Sequence, residues 1–159
     1  MVKIKQYLIN MSKRDYKNYW KEKDASKKIK KSAIKLAQII VDSTNNDILE
    51  THKKKLLSLI TWFITESDGK YETRFVSEDV LNGITPIEHE HVFTRRKTVE
   101  EFIINPGRIE EIAINIIGCL VTKQEHNKLS KIKTEYGWDR YKEAGIKVFD
   151  RKNQKFVTF

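Results

Sequence analysis

The first third of the chain carries apolar residues at helical spacing. Over residues 13–41 they cluster on one side after a lysine-rich first part, which predicts a helix. A second helix is predicted from about Asp47 to Glu66, because apolar residues there recur every three or four positions and Asn46 or Asp47 can cap its start. The apolar positions are Ala33, Ile34, Leu36, Ala37, Ile39 and Ile40 in the first helix, and Ile48, Leu49, Leu56, Leu59, Ile60 and Phe63 in the second. We expect the two helices to pack together as a helical hairpin.

The pattern changes after residue 66. A turn sequence, Ser67-Asp68-Gly69-Lys70, precedes residues 71–76, whose alternation is typical of a short strand. A helical pattern over 98–117 is interrupted at Asn105-Pro106-Gly107, which predicts one short helix on each side of the break. The apolar run Cys119-Leu120-Val121 then predicts a second brief strand.

The remaining elements complete a mixed fold. Thr122 and Glu125 have the spacing of a capping box, which predicts that a helix starts there, and residues 146–149 can add a terminal strand. We therefore predict an α+β protein that is mostly helical. Residues 1–66 would form a basic N-terminal helical region and 67–159 a second region, packed as one compact unit. Three aromatic residues are assigned to core packing: Trp62, Phe63 and Trp138.

Positive charge is concentrated at the start of the chain. The formal net charge is +9, and residues 1–31 hold eleven basic residues against three acidic ones, whereas the rest holds 20 and 19. A basic arm interleaved with aromatic residues suits nucleic acid, because releasing the counterions condensed on the phosphate backbone drives such binding. A solvated, lysine-rich helix is the alternative interpretation.

Composition also restricts the location and the ligands. No apolar run approaches the length of a membrane span, and residues 1–31 carry charge where a secretory signal needs an apolar segment. We therefore expect a cytoplasmic protein with no membrane partner. Cys119 is the only cysteine, so the chain can form neither an internal disulfide nor a cysteine-based zinc site. Any metal would be held by histidine, asparagine and carboxylate side chains.

Three of the four histidines lie in two short groups, His89-Glu90-His91 and Glu125-His126-Asn127. This mixture of imidazole, carboxylate and amide suits a general base beside a divalent metal. The first group lies where a strand would end, and the second lies just inside a helix that follows another short strand. Two strands and a helix around one metal are the elements of a ββα-metal core.

The segment from His89 to Lys131 resembles the HNH (ββα-metal, His-Me finger) endonuclease superfamily of small bacterial and phage proteins. The residues that carry the resemblance are His-Glu-His-Val-Phe-Thr-Arg-Arg-Lys and, later, Cys-Leu-Val-Thr-Lys-Gln-Glu-His-Asn-Lys-Leu. The resemblance implies that residues 67–159 form a ββα-metal (HNH) nuclease core that hydrolyses DNA phosphodiester bonds. Its cofactor would be one divalent metal ion, Mg²⁺ or Mn²⁺, with Zn²⁺ or Ni²⁺ as alternatives.

The resemblance also implies roles for individual residues. His91 corresponds to the general base, Glu90 or His89 to the first metal ligand, and His126 or Asn127 to the helical ligand, with Asn115 a candidate for the middle asparagine. On a regular strand His89 and His91 share one face, so a bend or bulge would be needed to bring Glu90 beside His91. Candidate contacts to nucleic acid are Arg95, Arg96, Lys97, Lys128 and Arg74. Structural ion pairs are the alternative role for Arg74 and Arg140.

Two other functions are compatible with the same residues. The ββα core could be catalytically degenerate, leaving a nucleic-acid-binding subunit of a phage, restriction or defence complex. A nuclease that is active only with a partner protein is the second alternative. The sequence leaves open DNA or RNA as substrate, and a homodimer or a larger complex as the assembly.

Overall fold

The structure, a computed structural model, describes residues 15–43 and 48–159. Within them, helices and one five-stranded sheet confirm the mixed, mostly helical α+β fold. The helices are α1 (Asp24–Asp42), α2 (Glu50–Thr65), α3 (Glu78–Leu81), α4 (Arg95–Ile104), α5 (Ile109–Ile114), α6 (Lys123–Lys131) and α7 (Trp138–Glu143), with a 3₁₀ turn at Pro106–Arg108. The strands are β1 (Phe75–Ser77), β2 (Ile87–His91), β3 (Gly118–Thr122), β4 (Val148–Asp150) and β5 (Lys155–Phe156).

The sheet has the strand order β2-β3-β1-β4-β5, so β2 is an edge strand. β2 and β3 pair antiparallel, β1 and β3 pair parallel, and β4 joins β1 and β5 antiparallel. Helices α4 and α5 fill the connection between β2 and β3, as the sequence predicts. Since α6 follows β3 directly, an antiparallel strand pair and the next helix lie together at this edge of the sheet.

Local sequence explains where several elements start and stop. Thr122 caps α6: its hydroxyl accepts from the Glu125 backbone amide, and the Glu125 carboxylate accepts from the Thr122 amide, so the predicted capping box is confirmed. Pro106 starts the turn that separates α4 from α5. The first helix begins at Asp24 instead of residue 13, because residues 15–23 form turns and extended chain; residues 13 and 14 lie outside the described part.

Helices cover both faces of the sheet. One core joins α1 and α2 to α4 and α5 through residues such as Ala37, Leu57 and Phe102, so it spans both sides of residue 66. On one sheet face, α6 and α7 bury Cys119 and Val121. The other face buries Leu120, Val76 and Ile87 with Val80 of α3 and the ring of Tyr16.

The helical hairpin forms as predicted, but much of its apolar pattern is not buried. Ala33, Ala37 and Ile60 are in the core, whereas Leu56, Leu59 and Phe63 expose 45–48% of their surface. The assignment of Phe63 to the core is therefore wrong. In the described part of the chain, no helix is both long and apolar enough to span a membrane.

Candidate functional site

The His89-Glu90-His91 group lies on the edge strand β2. Its pairing with β3 is one-to-one, with His89 opposite Leu120, Glu90 opposite Cys119 and His91 opposite Gly118. The strand is therefore regular, and the bend or bulge considered above is absent from it. His89 and His91 point to the face that carries α2, and Glu90 points to the face that carries α6. Because β2 is an edge strand, a ligand at that edge can reach side chains on both faces.

The Glu90 carboxylate contacts one histidine and one arginine side chain. The Nδ1 atom of His126 lies 2.6 Å from Glu90 Oε2, and Arg140 Nη2 donates to Glu90 Oε1 at 3.0 Å. Arg140 is almost completely buried and also donates to the backbone carbonyls of Leu129, His91 and Val92. One guanidinium thus ties the Glu90 carboxylate, the end of β2 and the C-terminal turn of α6 together.

The two histidines on the opposite face contact α2. His91 Nε2 lies 3.3 Å from the Thr65 hydroxyl oxygen, and the His91 ring meets the Trp62 ring edge-on at 4.4 Å between centroids. His89 Nδ1 lies 2.7 Å from the Lys70 carbonyl oxygen, so Nδ1 carries the proton and donates it. That assignment leaves a lone pair on His89 Nε2, which is buried and has no hydrogen-bond partner among the described residues.

The His89 ring lies directly over Gly118 of β3. A Cβ atom at residue 118 would come within 2.7 Å of His89 Nε2 and 3.4 Å of the Thr65 Cβ atom. Any side chain at this position would therefore have to displace the His89 ring.

Replacing Gly118 with alanine should lower the free energy of unfolding by about 1–3 kcal/mol, the usual cost of overpacking a core. The added methyl must displace a ring that is anchored to Lys70. Urea unfolding measures the effect, and Gly107→Ala is the matched control because a Cβ there has nothing within 4 Å. The double variant Gly118→Ala/His89→Ala should recover part of the loss; equal stability of Gly118→Ala and the wild type would contradict the packing.

Both histidines on this face are held neutral. Burial, then the nearby His89 and Arg95, lowers the pKa of His91 to about 3. Burial also lowers the pKa of His89, although its bond to the Lys70 carbonyl acts in the opposite direction. At neutral pH the His91 ring is an uncharged imidazole with a lone pair available to accept a proton.

The lowered pKa of His91 predicts that the stability of the protein depends on pH. Since the folded state excludes protons that the unfolded state binds, His91 contributes stability above its unfolded pKa of about 6.5, and the contribution is lost as the pH falls toward 3. Between pH 7 and pH 5 the free energy of unfolding should fall by about 2 kcal/mol through His91, and His89 acts in the same direction. Urea unfolding in EDTA measures it. In His91→Asn the free energy of unfolding should depend less steeply on pH. An unchanged pH dependence would show that His91 titrates normally.

The edge of β2 opens into a cleft of about 650 Å³. Glu90 and His126 line it together with His89 and His91, so the structure brings both predicted groups to one cavity. Helix α2 contributes Lys54, Ser58 and Trp62 to the opposite wall, and the start of α4 contributes Thr94, Arg95 and Arg96. The cleft therefore combines imidazole and carboxylate groups with three cationic side chains.

The other predicted nucleic-acid contacts lie elsewhere. Lys97 extends over the Tyr136 ring, 4.4 Å from its centroid, in a neighbouring groove that also includes Arg96. Lys128 is exposed on α6 and does not line the cleft. Arg74 forms a two-bond ion pair with Asp150 beside the junction of β1 and β4, away from the β2 edge.

Of the predicted metal ligands, Glu90 and His126 are in direct contact, and His89 lies on the other face of β2. Asn127, the residue after His126 in α6, is exposed, and so is Asn115 at the end of α5. Neither asparagine lines the cleft. Within residues 15–43 and 48–159, no group of three or more histidine, cysteine, aspartate or glutamate side chains is arranged to hold a metal.

Sequence reasoning missed several residues that shape the site. Trp62 was assigned to the core, yet its ring borders the cleft and contacts both His89 and His91. Ser58, Trp62 and Thr65 are spaced by four and three residues, so they lie on the same side of α2. The helical spacing therefore did contain a signal for this polar stripe. The role of Gly118 depends on a neighbouring strand and has no signal in the sequence.

Scans against protein-family models, curated proteins and solved structures each found no match.

Proposed function

We propose that the protein is a metal-dependent endonuclease of the HNH type that hydrolyses phosphodiester bonds of DNA. One observation carries this proposal: a single cleft combines the Glu90–His126 pair, a neutral His91 and a basic helix start. The antiparallel β2–β3 pair followed by α6 is also the element order that the resemblance implies. A divalent cation, a proton acceptor and phosphate-binding groups are the requirements of phosphodiester hydrolysis.

The Glu90–His126 pair fits a divalent metal. A carboxylate is a good ligand for Mn²⁺ or Mg²⁺ and an imidazole for Zn²⁺ or Ni²⁺, and Mg²⁺ is commonly held by one or two protein carboxylates while it keeps several waters. Arg140 occupies the second oxygen of Glu90 and so directs Oε2 toward His126. When bound, the metal supplies positive charge that neutralises the charge developing on the phosphate and on the departing 3′ oxygen.

The start of α4 fits a phosphate. Arg95, Arg96 and Lys97 occupy its first turn, although cations are unfavourable at the positive end of a helix dipole. The Thr94 side chain makes no capping bond to any described residue, so it leaves the first amide groups of the helix unsatisfied by a side-chain cap. An anion bound there would relieve both conflicts, because exposed amides and the two arginines that line the cleft, Arg95 and Arg96, attract phosphate together.

His91 is placed to accept a proton from water, but its pKa of about 3 makes it a weak base until a bound anion raises that pKa. Trp62 and Thr65 hold its ring, and its neutral form has the necessary lone pair. In the proposed step, His91 takes the proton as the water oxygen forms its bond to phosphorus and the bond to the 3′ oxygen breaks. A bound phosphate would raise the pKa of His91, because its negative charge opposes the effects of burial and of Arg95.

A plasmid assay tests the proposal. Purified protein with Mg²⁺ or Mn²⁺ should convert supercoiled DNA into nicked or linear forms, and EDTA should stop the conversion. Parallel reactions with single-stranded DNA and RNA distinguish the substrates. Intact substrate in every reaction, despite Mn²⁺ binding shown by calorimetry, would refute cleavage by the isolated chain and favour a degenerate or partner-dependent subunit.

A further inference from the structure

The helical hairpin carries an apolar face that the protein's own core does not cover. Seven large apolar side chains of α1, α2 and the residue preceding α2 each expose 43–59% of their surface: Ile29, Leu36, Ile39, Leu49, Leu56, Leu59 and Phe63. We call these seven residues the hairpin face. Scattered single apolar residues are normal at a surface, but a contiguous group of this size marks an interaction site.

The seven residues form two adjoining stripes. On α2 and at its start, steps of seven, three and four residues from Leu49 to Phe63 keep one stripe on one side of the helix. The opposite side of α2 faces the cleft, because Ser58 contacts Arg95 there and Trp62 contacts His91. On α1 the stripe likewise lies away from Gln38, which bonds to the Pro106 carbonyl. Since α1 and α2 pack against each other along their length, we infer that the two stripes adjoin on the solvent-facing side of the hairpin.

The charge on the two helices of the hairpin is predominantly positive. Helices α1 and α2 hold eight lysines and three acidic residues. Asp24 and Glu50 are at the helix ends, each paired with a lysine of its own helix. Lys28, Lys35 and Lys55 adjoin the stripes and make no ion pair with any described residue.

We propose that the hairpin face binds an acidic amphipathic helix of a partner protein. Apolar residues at three- and four-residue spacing match the anchors of a helix in a groove, and unpaired lysines at the rim match its acidic flanks. A second copy would bring one lysine-rich rim against another. Nucleic acid matches the lysines but leaves the leucines and isoleucines without apolar contacts. This surface lies on the other side of α2 from the cleft, so its binding does not depend on the proposed nuclease activity.

The test uses the full chain and two labelled synthetic helical peptides. Both carry leucines at heptad spacing on one face; one has glutamates on its flanks and the other has lysines. In fluorescence anisotropy, the glutamate peptide should bind saturably and at least about tenfold more tightly than the lysine peptide. The triple variant Leu56→Ser/Leu59→Ser/Phe63→Ser should lose that binding, whereas Ile104→Ser/Ile114→Ser should retain it, because these two residues are exposed elsewhere.

A charge-reversal variant separates recognition from loss of folding. Lys28→Glu/Lys35→Glu/Lys55→Glu should reverse the preference, so that the lysine peptide binds more tightly. Equal binding of both peptides to the wild type would overturn the proposal. So would a dimer in sedimentation that the triple serine variant abolishes, which would assign the face to a second copy. Tighter binding to phosphatidylserine vesicles than to the glutamate peptide would assign it to a membrane surface.

Discussion

Replacing His91 with alanine should lower the rate of plasmid cleavage by roughly 10²–10⁴-fold, the usual contribution of a general base. The alanine has no lone pair to accept the proton of the attacking water, and among the described residues His89 is the other imidazole on that face of β2. Nicking rates at saturating Mn²⁺ measure the effect. DNA affinity in a mobility-shift assay should stay unchanged, because Arg95 and Arg96 form a different wall of the cleft.

A histidine outside the cleft is the matched control. His52 is exposed on α2, so His52→Ala should cleave at the wild-type rate. A pronounced loss in His89→Ala together with full activity in His91→Ala would transfer the role of base to His89, whose Nε2 also has a lone pair. Full activity in both variants would exclude this pair of histidines from the chemistry.

The second large effect is expected at Arg140. Substitution by methionine should lower the free energy of unfolding by about 3–5 kcal/mol, because it leaves the Glu90 carboxylate buried without its main counter-charge. The variant should also bind Mn²⁺ more weakly, since Glu90 loses the contact that directs Oε2 toward His126. Urea unfolding and calorimetry measure the two effects.

A double-variant cycle shows whether the loss of stability in Arg140→Met comes from the unpaired buried charge of Glu90 or from lost packing. Glu90→Gln in the Arg140→Met background should restore part of the stability, because the unpaired carboxylate is gone, but it should not restore Mn²⁺ binding. The exposed pair Arg108–Glu111 is the control, and Arg108→Met should change stability very little. If Glu90→Gln instead destabilises the Arg140→Met protein further, the Glu90 charge is not what Arg140 compensates.

Local signals predicted many of the elements. The capping box at Thr122 and the break at Pro106 act within one or two turns of chain, so their effect does not depend on distant residues. The short elements α3, α7 and β5 were not predicted, because pieces of two to six residues carry too little periodicity. The hairpin formed, but the apolar spacing of α2 could not show which of its apolar residues the core would bury.

The candidate site was predicted in its residue types and only partly in its geometry. His89, Glu90, His91 and His126 line one cleft, as their clustering suggested. Asn127 and Lys128 do not, because successive helix residues point about 100° apart and α6 presents only one side to the strand. Arg140 lies fifty residues from Glu90 in sequence, and nothing in the local pattern of either residue predicts their contact.

The sequence by itself determined the helix-rich α+β composition, the hairpin, the capping box and the grouping of histidines with acids. These follow from periodicity and short-range hydrogen bonding, which neighbouring residues control. Only the tertiary structure decided that β2 is an edge strand, that Trp62 borders the cleft, that Gly118 accommodates His89 and that the hairpin face is exposed. Each of these depends on which elements pack side by side, and long-range burial of apolar surface controls that choice.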